Sequence, residues 1–129
     1  MTKQVVHTDA APKPVGPYNQ AIVAGNTIYV AGQGPIDART GQVVKGTFEE
    51  QAICTFENIK AILEAAGSSL SEVVKVNVYL ADNGDFTKLN DIYKRYFTEP
   101  YPARATVGVQ LLFHIFIEVD CIAVKNGKT

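Results

Sequence analysis

The sequence predicts an α+β domain in which two helices lie on one face of a mixed β-sheet. Three observations lead there. Two segments carry apolar residues at helical spacing, and several shorter runs alternate apolar and polar residues at strand spacing. The length, 129 residues, suffices for one hydrophobic core and not for two. Residues 1–129 are therefore read as a single domain without repeats, low-complexity tracts or a linker.

The elements follow in order. Residues 1–14 read as a polar, extended lead-in containing Pro12 and Pro14. Residues 18–24 and 27–33 read as two strands of a hairpin, with Gly25 and Asn26 as the tight-turn signal between them. Residues 35–46 are loop-like, punctuated by Asp37, Gly41 and Gly46. The clearest helix covers 47–66. Thr47 and Glu50 have capping-box spacing, Phe48, Ala52, Phe56, Ile59, Leu63 and Ala66 form one apolar stripe, and Gly67 suits the left-handed C-terminal position.

Residues 73–80 follow as a strand, with Val74, Val76, Val78 and Leu80 facing one way and Lys75, Asn77 and Tyr79 the other. Asp85 is expected to cap a second helix running to about Phe97, with Leu89, Tyr93 and Phe97 on one face; Pro100 and Pro102 end it. Residues 103–109 and 115–124 read as the last strands. Two helices cover only one face of such a sheet. The other needs a cover, and association between subunits is the economical one.

Composition narrows the function classes. Hydrophobic residues make up 47% of the chain and charged residues 19%, with a formal net charge of −1 and no block of like charges. An electrostatic nucleic-acid or anionic-membrane binder needs a clustered basic face, so no nucleic-acid partner and no membrane partner is expected. The N-terminal residues hold no apolar stretch of signal-peptide length and no run reaches membrane-span length, so a cytoplasmic protein is expected. Cys54 and Cys121 fit no zinc or redox spacing and read as reduced core cysteines. His7 and His114 have no ligand-like spacing, and His114, in an apolar run, reads as a hydrogen-bonded packing residue. No metal or nucleotide is implied.

What remains is a set of polar residues in places that packing would not choose. Arg104 begins a strand after Pro102, where base rates alone favour a surface arginine at a sheet edge. Glu118 and Asp120 share a strand face with Phe116 and Ile122. A carboxylate among apolar residues is costly to bury unless paired, so it faces solvent, an interface or a site. Asn90 on the second helix, and the turn Gly16-Pro17-Tyr18-Asn19-Gln20, mean little alone.

Together the segments resemble the RidA/YjgF family of imine deaminases, also called the L-PSP endoribonuclease family. The resemblance runs through Gly16-Pro17-Tyr18-Asn19-Gln20-Ala21, Ala31-Gly32-Gln33-Gly34-Pro35, Thr40-Gly41 and the helix Gln51 to Gly67. It continues through Val74-Lys75-Val76-Asn77-Val78-Tyr79-Leu80, Leu89-Asn90 with Tyr93 and Phe97, Pro102-Ala103-Arg104-Ala105-Thr106-Val107 and Ile117-Glu118-Val119-Asp120-Cys121-Ile122-Ala123. Their order and spacing cover nearly the whole chain.

The resemblance implies a chorismate-mutase-like α+β fold assembled as a homotrimer, with sites in the clefts between subunits. It implies hydrolysis of reactive 2-imino acids, such as 2-iminobutanoate and 2-iminopropanoate, to 2-keto acids and ammonia, with no metal and no organic cofactor. Arg104 then grips the substrate carboxylate and Glu118 orients the attacking water and accepts its proton. Tyr18 and Asn90 match pocket-lining positions, Ala31 and Gly32 a substrate-binding turn, and Thr106 a position whose backbone meets the carboxylate. Three departures bear on specificity. Ala31 stands where many members have serine, and Gly108 where an acid is common. Residues 110–114 lack the usual basic, proline-containing turn and are one residue shorter. Two other readings share Arg104: a deaminase of another enamine or imine, aminoacrylate- or aminomuconate-like, and a small-carboxylate binder or chaperone-like protein without turnover. A nuclease has the least physical support at this charge.

Overall fold

The structure is a computed structural model and describes residues 2–125. Met1 and residues 126–129 of the single-domain reading lie outside the described residues. Six strands form one sheet: β1 (Lys3–Val6), β2 (Ala21–Ala24), β3 (Thr27–Gln33), β4 (Val73–Leu80), β5 (Ala103–Gly108) and β6 (Ile117–Val124). Their spatial order is β1-β2-β3-β6-β4-β5. Among the described residues only the β4–β5 pair is parallel, so the sheet is mixed. The helices α1 (Phe48–Ala65) and α2 (Phe86–Tyr96) pack on one face.

Local sequence explains α1. Thr47 Oγ1 accepts from Glu50 N at 3.2 Å while Thr47 N donates to Glu50 Oε1 at 2.8 Å, the reciprocal pair that satisfies two orphan donors. Gly67, at φ +82°, takes the left-handed position after the helix. The α1 stripe buries Phe56, Ile59, Ile62 and Leu63 completely against Ile28, Val76, Ile117 and Ala123. Aromatic side chains join α1 to α2: Phe56 lies edge-on to Tyr93 and Phe97 and stacks on Tyr96.

Several local expectations need correction. The lead-in contains a strand, β1, that extends the hairpin antiparallel to β2. Val74 does not share the core face with Val76; the pairing of β4 with β6 shifts register between Val73 and Lys75, which leaves Val73 buried and Val74 49% exposed. Asp85 occupies the N-cap position of α2 without a side-chain capping bond, and a 3-10 turn at Asn83–Asp85, held by Asp82 accepting from Gly84 N, leads into the helix instead. His114 is exposed, makes no side-chain hydrogen bond among the described residues, and adopts φ 56° next to Phe113 at φ 62°. This connection turns through two consecutive left-handed positions, which carries His114 outward. Cys121 is buried in the sheet, whereas Cys54 is only half-buried, its thiol directed at Ile36 O.

Candidate active site

The face of the sheet away from the helices carries Lys75, Asn77, Tyr79, Glu118, Asp120 and Ile122, all half-buried, and Tyr29. Two of the clefts in the described residues hold candidate residues. Asn90 and Arg104 line one and Tyr18 and Gly32 the other; Ala31, Thr106 and Glu118 line neither.

The first cleft, of about 330 Å3, lies where α2 meets the edge strand β5 and is lined by Asn90, Tyr93, Lys94, Tyr101, Pro102 and Arg104. Arg104 pairs in register with the core residue Val76, so its side chain lies on the helix face of the sheet. There it enters a frame built by α2. Arg104 Nη2 donates to Asn90 Oδ1 at 2.9 Å, and its Cζ lies 4.7 Å from the centre of the Tyr93 ring and 5.7 Å from that of Phe86. Such contacts contribute about 0.5–2 kcal/mol each, more as water is excluded. Among the described residues no carboxylate pairs with Arg104. The guanidinium has five donors and uses one, so the others are available for an anion. Thr106, two residues along β5, shares this side of the strand. Burial pushes the Tyr93 phenol up to about 12, against the opposing effect of the Arg104 charge.

The second cleft, of about 320 Å3, is formed by residues 12–20, the turn after β3 and residues 36–41, with Tyr18, Gly32, Gln33 and Gly34 in its wall. Between Val30 and Gln33 the register of β3 against β6 shifts, so Ala31 and Gly32 together oppose Asp120. The bulge brings Gly32 against Glu118: a methyl group at Gly32 would lie 2.5 Å from Glu118 Oε2 and 3.1 Å from its carboxyl carbon. Ala31 is held by its N–H donating to Gln20 O at 2.9 Å. Tyr18 is exposed, and its hydroxyl accepts from Val15 N at 3.3 Å.

The two acidic residues of β6 have different surroundings. Asp120 accepts from Asn77 Nδ2 and from Tyr79 Oη, both at 2.8 Å. Glu118 has no hydrogen-bond partner among the described residues. Burial, reinforced by the Asp120 charge, pushes its carboxyl above the usual value of 4.5. An unengaged, half-buried carboxylate with a raised pKa is fit to take a proton; a doubly bonded one is committed to structure.

Three buried amides, to which sequence reasoning gave no role, fix loops beside the sheet. Gln20 Oε1 accepts from Thr8 N, and its Nε2 donates to the carbonyls of Thr8, Ala11 and Pro12. Gln51 Nε2 donates to Val44 O while its Oε1 accepts from Phe116 N, joining two loops. Asn58 Nδ2 donates to Gly34 O and Ile36 O. Gln51 and Asn58 lie on α1 at positions where a polar residue faces the protein rather than water, and that was the available signal.

Arg104 and Glu118 do not meet within one chain. They point to opposite faces of the sheet, two strands and three residues apart in register, which puts their Cα atoms about 14 Å from each other. Arg104, Asn90 and Thr106 therefore lie on one side of the sheet, and Tyr18, Ala31, Gly32 and Glu118 on the other.

Comparison with known proteins agrees with this fold. The family model described as Endoribonuclease L-PSP matches residues 8–125. The chain is 56% identical over 127 residues to a RutC family protein of Pyrococcus abyssi, covering 98% of this chain and 100% of the relative. It is 42% identical to the 2-iminobutanoate/2-iminopropanoate deaminase of Dermatophagoides farinae, covering 95% and 96% of the two chains. The crystal structure of RidA from the Antarctic bacterium Psychrobacter sp. PAMC 21119 superposes with a TM-score of 0.90 at 47% identity, covering 94% of this chain and 98% of that one. Fold and matches define the class, an L-PSP-type α+β domain. The chain belongs to the RidA/YjgF family.

Proposed function

We propose that this protein hydrolyses 2-imino acids to 2-keto acids and ammonia, at sites that neighbouring subunits of a homotrimer complete for one another. The observation that carries this reading is the pairing of an uncommitted, framed arginine with an uncommitted, half-buried carboxylate on opposite faces of the chain. One half binds the substrate and the other acts on it, and only a second copy brings them together. The deaminase names of relatives at 41–42% identity support the same chemistry.

Arg104 grips the substrate carboxylate with parallel charge-assisted bonds, which fixes the adjacent imine carbon. A protonated imine is already electrophilic, so no covalent nucleophile, metal or organic cofactor takes part. Water attacks that carbon as the Glu118 carboxylate removes its proton, giving a carbinolamine. Protonated Glu118 then passes the proton to the amino group, the C–N bond breaks, and the carbinol O–H proton is released as the keto group forms. Tyr18 and Asn90 wall the pocket, Ala31 and Gly32 shape its turn, and the Thr106 backbone supports the carboxylate. A binder without turnover would also use Arg104, but it gains nothing from a second negative charge held free of partners, and Glu118 favours catalysis.

The test couples the protein to a threonine dehydratase that releases 2-iminobutanoate, and times the appearance of 2-oxobutanoate. The rate should rise in proportion to added protein. A rate that stays at the spontaneous value over a wide range of protein concentration sinks the proposal.

Gly32 provides an independent check. Gly32→Ala places a methyl group where the Glu118 carboxylate lies, so that carboxylate must move. We expect kcat to fall on the order of tenfold or more while thermal unfolding changes little, because a misplaced base loses its aim at the imine carbon. Unchanged kcat would separate Glu118 from the chemistry.

A further inference from the structure

The arginine is held by more than its hydrogen bond. Phe86, Asn90 and Tyr93 are spaced i, i+4 and i+7 on α2, and all three touch Arg104 from one face of that helix. Arginine has a long, rotamer-rich side chain, and β5 is an edge strand with solvent on one side. A single bond to Asn90 would leave the plane of the guanidinium free to swing. The Tyr93 ring, 4.7 Å from Cζ, offers a flat surface that removes this freedom.

The ring is itself immobilised. It meets Phe56 edge-on at 6.0 Å and lies against Phe97 at 4.5 Å, and Phe56 is completely buried under α1. A rigid chain of aromatic contacts thus runs from the core to the guanidinium. The phenolic oxygen, by contrast, is buried without a hydrogen-bond partner among the described residues. A hydroxyl left in that state costs stability and contributes no bond to the site.

We propose that Tyr93 is a positioning residue for Arg104, acting through the face of its ring and not through its hydroxyl, with Phe86 as the lesser second ring of the same frame. The consequence for ligand binding rests on the reading of Arg104 as the carboxylate clamp; the positioning itself does not.

The experiment compares Tyr93→Phe, Tyr93→Leu and Phe86→Leu with the wild type, all in the full chain. One readout is the NMR resonance of the Arg104 Nε–H, assigned by its loss in Arg104→Lys, because a guanidinium proton over a ring is shifted upfield. The other is the dissociation constant of 2-oxobutanoate. Tyr93→Leu should lose the upfield shift and weaken 2-oxobutanoate binding roughly tenfold. Tyr93→Phe should restore both and raise the melting temperature. Phe86 is exposed at the surface, so Phe86→Leu should fold normally and give a smaller change of the same sign, which keeps the test decisive if Tyr93→Leu misfolds. A wild-type shift and wild-type binding in folded Tyr93→Leu, or in Phe86→Leu where Tyr93→Leu misfolds, overturns the proposal. So does a loss in Tyr93→Phe as large as that in Tyr93→Leu. If the shift behaves as described but no variant, wild type included, binds 2-oxobutanoate, the positioning stands and the carboxylate reading fails.

Discussion

Arg104→Ala is expected to lower kcat/KM for 2-iminobutanoate on the order of a hundredfold while the protein stays folded. Hydrogen bonds to a charged group contribute about 1.5–3 kcal/mol each, and the upper part of that range alone gives the factor. Misplacement of the imine carbon relative to water adds to it. Folding should survive because the β5 backbone keeps its pairing with β4 and the Arg104 side chain reaches the surface of an open cleft. Arg104→Lys should not rescue the loss. Lysine is a point charge on a flexible stem. It cannot present two parallel donors to a carboxylate, nor place a planar cation over the Tyr93 and Phe86 rings as the guanidinium does. Steady-state kinetics with both variants, alongside 2-oxobutanoate titration, check this. Near-normal kcat/KM in folded Arg104→Ala would remove Arg104 from the site.

The first helix was legible because its determinants are local. The α1 boundaries follow from Thr47, Glu50 and Gly67, residues that act within one turn of their own position. The strand faces followed from period two except at Val74, where a register shift against β6 intervenes, and register is a property of the pair. His114 failed for a similar reason: its apolar neighbours promised burial, but the left-handed turn at Phe113 and His114 carries it outward. The sequence singled out Arg104 and Glu118 but held two facts out of reach. Glu118 and Asp120 look alike two residues apart on one strand face. They differ because β4 sets Asn77 and Tyr79 beside Asp120, whereas the β3 bulge sets a bare glycine beside Glu118. The second fact is that Arg104 faces the helices and Glu118 faces away, which depends on how β4 pairs with β5 on one side and β6 on the other.

That opposition gives the sharpest prediction. Glu118→Gln should lower kcat by on the order of 10²–10⁴-fold, the range for removal of a positioned general base, while 2-oxobutanoate still binds through Arg104. In the wild type the acid limb of kcat/KM should lie above the ordinary glutamate value of 4.5, since burial and Asp120 raise the Glu118 pKa and the base works only when ionised. The sign for stability is the reverse. A carboxyl whose pKa is raised in the folded state contributes stability below its unfolded pKa and loses it as pH rises through the folded one. Glu118→Gln, which mimics the neutral form, should therefore melt higher than the wild type at neutral pH and not below about pH 4. The decisive step is to mix subunits. Arg104→Ala and Glu118→Gln chains, each inactive alone, are unfolded together in equal amounts and refolded. In a trimer whose sites take Arg104 from one chain and Glu118 from its neighbour, about one site in four regains both residues, so about a quarter of wild-type activity should return. A Tyr18→Ala chain should complement Arg104→Ala in the same way but should not complement Glu118→Gln, because the proposed site takes Tyr18 and Glu118 from the same chain. Mixtures that remain as inactive as their components would mean that each chain builds its site alone, and the division of the site between subunits would be wrong.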